Sequence, residues 1–263
     1  MASELDRIIR EHRERLAASE TSAVSEIIAA YEDLRLTLER QLRDLEAAIA
    51  NARAADKKIS PSWLYRERRL KTLLEAVERE LQRFGARAAA IIERRQREAV
   101  SIAVSSTQQL LVTIGQTNAV STLLPTRAIE TVIGMLGDGS PLIDYFSETL
   151  APDIVKRIRK ILIEGVSTGK NARTVARELY MTGDITRNRA MTTARTELGR
   201  ANREAARQIY LSNSDIITGW EWVASKSPRT CPACLSLDGS VYELSVPFPQ
   251  HYNCRCTIIP VLV

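Results

Sequence analysis

Apolar residues recur at spacings of three and four from the start of the chain. Leu5, Ile8, Ile9 and His12 share one face, and Ile27, Ile28, Tyr31, Leu34, Leu38, Leu42, Leu45 and Ile49 continue it. With no Gly or Pro before residue 60, this pattern predicts a helix over residues 3–50. Ser60-Pro61-Ser62 interrupts it, with Ser60 suited to an N-cap and Pro61 to a first helical position. Leu64, Leu70, Leu73, Leu74, Val77 and Leu81 predict a second helix over 63–84, and the pattern resumes past Gly85 through Ile91, Ile92 and Arg94-Arg95-Gln96-Arg97. Two long helices with a short connection predict an αα-hairpin. It either projects as an arm or packs as a bundle. No heptad is sustained across both, which argues against a strict coiled coil.

From residue 99 to residue 126 no side chain is charged. Ser101, Ser105, Ser106, Thr107, Gln108, Gln109, Thr113, Gln116, Thr117 and Asn118 make the stretch too polar for lipid, so it reads as a helix buried against protein. A boundary is expected at Pro125, giving a helical arm or bundle over 1–125 and a second domain over 126–263. In the second domain a helix over 126–135 should stop at the turn Gly137-Asp138-Gly139-Ser140-Pro141. Helices are expected over 143–150, 152–165 and 171–180. The longest runs over 184–210, where Ala190, Ala194, Leu198, Ala201, Ala205 and Ile209 form a small-residue face. The period then changes. Ile216–Val223, Val241–Leu244 and Thr257–Val261 read as strands. The fold class is α+β, mostly α-helical, with a long N-terminal helical hairpin or bundle, a helical region and a small C-terminal antiparallel sheet.

Composition and charge change this picture little. Hydrophobic residues make up 44% and charged residues 26%, ordinary for a globular chain. The net charge is +5, unevenly spread: residues 1–100 hold 20 Lys/Arg against 18 Asp/Glu, and residues 151–210 hold 13 against 6. Attraction to nucleic acid therefore belongs to the second stretch, on Lys156, Arg157, Arg159 and Lys160 and on Arg187, Arg189, Arg195, Arg200, Arg203 and Arg207 of the longest helix. The alternative is a solvated helix face. Met1–Leu16 is dense in charge and lacks the apolar run of a secretory signal.

The candidate chemistry lies near the C-terminus. Cys231, Cys234, Cys254 and Cys256 follow the pattern C-x2-C-x19-C-x-C, with His251 three residues before the third cysteine. C-x2-C lets two thiolates turn toward one ion, and adjacent strands could bring the second pair to it, a soft donor set that suits tetrahedral zinc. The ligands are all four cysteines, or Cys231, Cys234 and His251 with either Cys254 or Cys256. Disulfides and buried thiols are the alternatives; a reducing cytosol disfavours the first. So many soft ligands point to a structural site, since catalytic zinc keeps an open position and a carboxylate base. Glu243 and Asp238 are available, but nothing in the sequence marks either as poised.

In chain order these elements are Arg195-Thr196-Glu197 within a helix, Asn202 and Ala206, then Trp220-Glu221-Trp222. Cys231-Pro232-Ala233-Cys234, Leu237-Asp238-Gly239 and His251-Tyr252-Asn253-Cys254-Arg255-Cys256 follow. The series resembles the phage Mu F-like family of minor head, or head morphogenesis, proteins of tailed bacteriophages, over residues 150–260. Tyr252 stands where the family pattern often has Pro. The resemblance implies a structural, non-enzymatic minor component of the virion. It would be made in the host cytoplasm, lie inside the capsid near the portal, and act in head assembly or in DNA packaging and ejection. Its expected partners are the portal protein or major capsid protein and packaged double-stranded DNA held non-specifically; self-association is left open, and stable membrane insertion is not expected.

Three residue-level alternatives remain open at this point. Glu197 is either a catalytic carboxylate or a buried acceptor pinning the sheet or the Cys loop to its helix, with Arg195 paired to it or to a neighbouring carboxylate. Trp220 and Trp222, on one side of a strand, are either core or a base-stacking platform. The competing functions are a metal-dependent hydrolase acting on nucleic acid or peptide and a zinc-ribbon DNA-binding regulator. The hydrolase lacks any HExxH, Walker A or GxSxG element. The regulator lacks an evident recognition helix followed by a dimer element.

Overall fold

The computed structural model describes residues 2–55, 68–114, 130–168, 170 and 172–263. Ser60-Pro61-Ser62, the expected start of the second helix, the expected boundary at Pro125 and the uncharged residues 115–126 lie outside the described residues. The helices are α1 (Ala2–Ala54), α2 (Arg68–Thr113), α3 (Leu142–Asp144) with a π-helical turn over Tyr145–Leu150, α4 (Ala151–Ser167) and α5 (Ala172–Ser212). Strand β1 (Ile217–Val223), the short α6 (Pro232–Ser236), β2 (Val241–Glu243) and β3 (Thr257–Leu262) complete the chain. The mostly helical α+β class holds, with its three-stranded antiparallel sheet at the C-terminus.

Two expected elements differ. Residues 172–212 form one helix, not two. Gly183 looks like a breaker in sequence, yet a Cβ there would lie 2.1 Å from the Tyr31 hydroxyl, so its role is close approach. The expected helix over 126–135 gives way to turns from residue 131. Its backbone groups are taken by side chains instead. The Gln96 amide accepts from Gly134 N–H and donates to Met135 O, Arg200 donates to Val132 O and Met135 O, and Gly134 has φ +75°. Those bonds compete with the helical ladder and win.

The chain divides into two compact units, Met1–Val24 with Ile91–Ser140 and Thr192–Val263, and Ser25–Ala90 with Pro141–Met191. Both draw on residues from either side of position 125. The second unit is helical, with Ile27, Leu34, Val77, Leu81, Phe146, Ile154 and Ile158 among its buried residues and Tyr31 set edge-on to Phe84. The first unit holds the sheet, in the order β2-β1-β3. Trp220 pairs with Tyr242 on one side and Pro260 on the other; proline is tolerated there because β3 is an edge strand. The core of this unit joins Ala201, Ala205, Ala206 and Tyr210 of α5 to Trp220, Trp222, Ile258, Cys234, Cys254 and Cys256. The small residues of α5 let the sheet approach the helix axis, as the alanine spacing predicts. In α2, Ile102, Ala103, Ser106, Thr107, Leu110 and Leu111 are buried. Among the described residues no helix is long and apolar enough to cross a membrane.

Candidate metal centre and its anchors

The C-x2-C segment turns because Cys231 N-caps α6, with Pro232 at the first helical position and Cys231 Sγ accepting from Cys234 N–H at 3.4 Å. The Leu237-Asp238-Gly239 turn returns the chain to β1. Gly239, at φ +80°, donates to Trp222 O, and Asp238 Oδ1 accepts from Ala224 N–H. The second ligand segment bends at Asn253, φ +60°, a left-handed conformation that Asn tolerates. Cys254 N–H then donates to His251 O at 3.3 Å, which folds Cys254 back beneath the imidazole.

These two turns bring all five predicted residues together. Cys231, Cys234 and His251 form one close group of donors, and Cys234, Cys254 and Cys256 form another, sharing Cys234. His251 Nε2 lies 3.0 Å from Cys234 Sγ and 3.6 Å from Cys231 Sγ, and Cys234 and Cys254 sulfurs are 3.9 Å apart. Tetrahedral zinc at ordinary bond lengths sets its ligand atoms about 3.5–3.8 Å apart, so the donor set fits the ion with small adjustments. The His251 Nδ1 lies 2.9 Å from Tyr252 O, a contact that puts the proton on Nδ1 and leaves the Nε2 lone pair toward the sulfurs. The four cysteines are free thiols. Burial and its thiol neighbours push Cys234 up to about 12. Cys254 and Cys256 share a hydrogen bond that holds Cys254 above, and Cys256 below, the ordinary thiol range. A metal would replace these shared protons, as thiolate ligation requires.

Around this cluster the Arg-Thr-Glu element acts as three anchors. Arg195 pairs with Glu20 of α1 at 3.1 Å, and Arg255 reaches the same carboxylate oxygen at 2.6 Å. Thr196 Oγ1 accepts from Asn253 N–H at 3.0 Å, and Thr196 O accepts from Gln250. Glu197, 5% exposed, pairs with Arg200 at 2.5 Å and accepts from Gly137 N–H. Thr196, not Glu197, therefore pins the Cys loop; Glu197 holds the turn before α3. Trp220 and Trp222 are buried at 0% and 1% exposure and stack on Tyr242 and Phe248, so neither presents a face to a base. Of the two carboxylates singled out in the sequence, Asp238 accepts from Ala224 N–H and pairs with Lys226, and Glu243 is exposed and accepts from Ser245 at 3.3 Å.

The basic residues separate into two groups. Lys156, Arg157, Arg159 and Lys160 are exposed on α4, Arg157 beside Asp153 and Lys160 beside Glu164. Of the six arginines expected on the longest helix, Arg200, Arg203 and Arg207 in α5 are turned toward the fold. Arg200 holds Val132 O and Met135 O, Arg207 holds Leu244 O and Glu204, and Arg203 is 2% exposed. Arg200 and Arg207 thus spend guanidinium donors within the fold and Arg203 is buried, which leaves these three little free surface for the phosphate contacts expected of them. Sequence reasoning also missed Glu20, which nothing distinguishes from the other acids of α1, and the partner of His12, whose Nε2 lies 3.1 Å from Asn202 Oδ1. Asn202 in turn donates to Ala99 O.

No curated protein and no solved structure matches the chain. The segment from α4 into β3, which contains the Arg-Thr-Glu helix, the Trp strand and the whole Cys/His cluster, does match a family model, that of the Phage Mu protein F like protein, over residues 156–259. Over this segment, which is less than half of the chain, the protein is similar to the phage Mu F-like family.

Proposed function

We propose that the protein is a minor structural component of a tailed-phage head, held inside the shell near the portal. Its Cys/His cluster carries zinc as a clamp, and its exposed basic helix touches packaged DNA. The observation that carries this reading is the use to which the family segment puts its motif. Arg195, Thr196 and Glu197 each fasten a different stretch of chain, and Asp238 is held by Lys226 and Ala224 N–H. That arrangement supports a scaffold over a hydrolase, which needs an open ligand position and a positioned base. Zinc would supply cross-linking here. It would tie the α6 turn to the strand entering β3, giving a small sheet stability beyond its own core.

Locating the chain in intact particles tests the proposal. Density or cross-links beside the portal within the shell are expected; a chain missing from particles, or found on the outer surface, overturns it. The DNA contact has a separate test. Phosphate contacts lower log K with log salt by about 0.9 per phosphate. Replacing Lys156 and Arg159 together with Ala should reduce the slope for duplex DNA by about 2. An unchanged slope removes α4 from the interface.

A further inference from the structure

Arg203 is a buried cation with no carboxylate of its own. Its guanidinium donates to Cys256 O at 3.0 Å and to Gln250 Oε1 at 3.2 Å, both neutral acceptors, and lies 4.4 Å from the Phe248 ring centroid. Its Nε is buried without a hydrogen-bond partner. The carboxylate that acts on Arg203, Glu197, is already held by Arg200 at 2.5 Å. Burial pushes the Arg203 guanidinium below its ordinary range, and Cys254, Cys256 and Cys234 oppose that push ahead of Glu197. Arg13, half-buried, is lowered by burial, and Asp238 opposes that ahead of Cys256. The fold makes room for this cation. A Cβ on Gly199, one turn earlier in α5, would lie 2.9 Å from Arg203 Nη1 and 3.3 Å from Cys254 O. Trp222, whose ring stacks on the same Phe248, acts on the Cys256 thiol from its own side and helps hold it low.

A buried charge without a counter-charge costs several kcal/mol, so a fold that keeps one supplies the opposite sign. Neutral thiols supply none. A divalent ion held by three thiolates and a neutral imidazole leaves one negative charge; four thiolates leave two.

We infer that Arg203 is the counter-ion of a metal–thiolate centre of net charge −1, so that metal loading and the docking of α5 on the Cys loop are one coupled event. This rests on the metal reading above, and its test separates the two. Arg203 is a positioning residue that touches the ligand segment and not the metal.

The experiment measures zinc affinity by chelator competition, and melting with and without chelator, for the full chain and for Arg203→Met, Arg203→Lys and Arg207→Met. Removing a group that supports the metal ligands typically weakens metal binding by about 10–100-fold, and Arg203→Met is expected in that range. Arg203→Lys, which keeps the charge and loses the fork, should fall closer to wild type. Arg207→Met should leave affinity unchanged. Without metal, Arg203→Met should melt no lower than wild type, because it removes an uncompensated charge; with metal it should melt lower. A purely structural arginine would lower both melts equally and leave affinity alone, and that result overturns the inference. Affinity within about threefold of wild type does the same, being well short of that 10–100-fold range. If wild type takes up no zinc, the metal reading fails and this inference with it. If wild type binds and Arg203→Met binds equally, only the inference fails. Should Arg203→Met not fold, Arg203→Gln, which removes the charge and retains a donor, is judged by the same criteria.

Discussion

Glu197 offers the sharpest test of whether the Arg-Thr-Glu element anchors or reacts. Its carboxylate accepts from Arg200 Nε at 2.5 Å and from Gly137 N–H, and only 5% of the residue is exposed. Hydrogen bonds to a charged group are worth about 1.5–3 kcal/mol each, so Glu197→Ala, which loses both and strands Arg200, should cost about 3–5 kcal/mol. Burial is the largest influence on this carboxyl and pushes it above the usual carboxylate range, against the pull of Arg200 and Gly137. The bonds therefore matter more than the charge. Glu197→Gln, which keeps an acceptor of the same shape, should cost less than about 1.5 kcal/mol, the worth of an ordinary hydrogen bond. A raised folded value has a definite sign: the stability it brings is present below the ordinary carboxylate range and is lost as pH rises through the folded value. Wild type should thus gain on Glu197→Gln as pH falls from 7 to 4. Urea denaturation of metal-free protein at both pH values measures all of this. A Glu197→Ala cost under about 1 kcal/mol, the size of a surface pair, would refute the anchoring account. So would a Gln variant as damaged as the Ala one.

Burial holds His12 down to about 4 from 6.5, so its contribution is present above pH 6.5 and is lost as pH falls toward 4. Up to about 3 kcal/mol should disappear across that window, and urea midpoints of metal-free His12→Gln should lack that part of the acid slope. Thr196→Val removes the acceptor of Asn253 N–H and should cost about 0.5–1.5 kcal/mol; amide exchange at Asn253 should quicken, and unchanged exchange would remove Thr196 as the loop's pin. Gly183→Ala should destabilise by about 1–3 kcal/mol through the Tyr31 hydroxyl despite better helix propensity, with Tyr31→Phe restoring much of the loss in thermal melts.

What could be read from sequence followed the range of the interactions. The three- and four-residue apolar spacing marked α1 and α2 because helix faces are local, and the alternation around Trp220 and Trp222 marked β1 for the same reason. The cluster was legible because its five ligands fall within residues 231–256 and its turns carry their own Pro, Gly and Asn signals. Long-range pairings were not legible. Arg203 looks like any helical arginine until α5 meets the Cys loop, and Glu20 becomes special only when Arg195 and Arg255 converge on it. Gly183 imitates a helix stop because nothing local reveals Tyr31 across the interhelical space. The Arg-Thr-Glu element was recognised as a unit, but the division of labour within it depends on which segment each side chain meets.

The account turns on the Cys/His cluster being a metal clamp, and the native mass of the purified full chain tests that directly. The predicted mass exceeds that of the apo chain by one zinc ion, less the protons the ligands release, and unfolding in acid returns the fully reduced chain. A native mass equal to the reduced, metal-free chain, or one lacking two hydrogens for each disulfide formed, would contradict it.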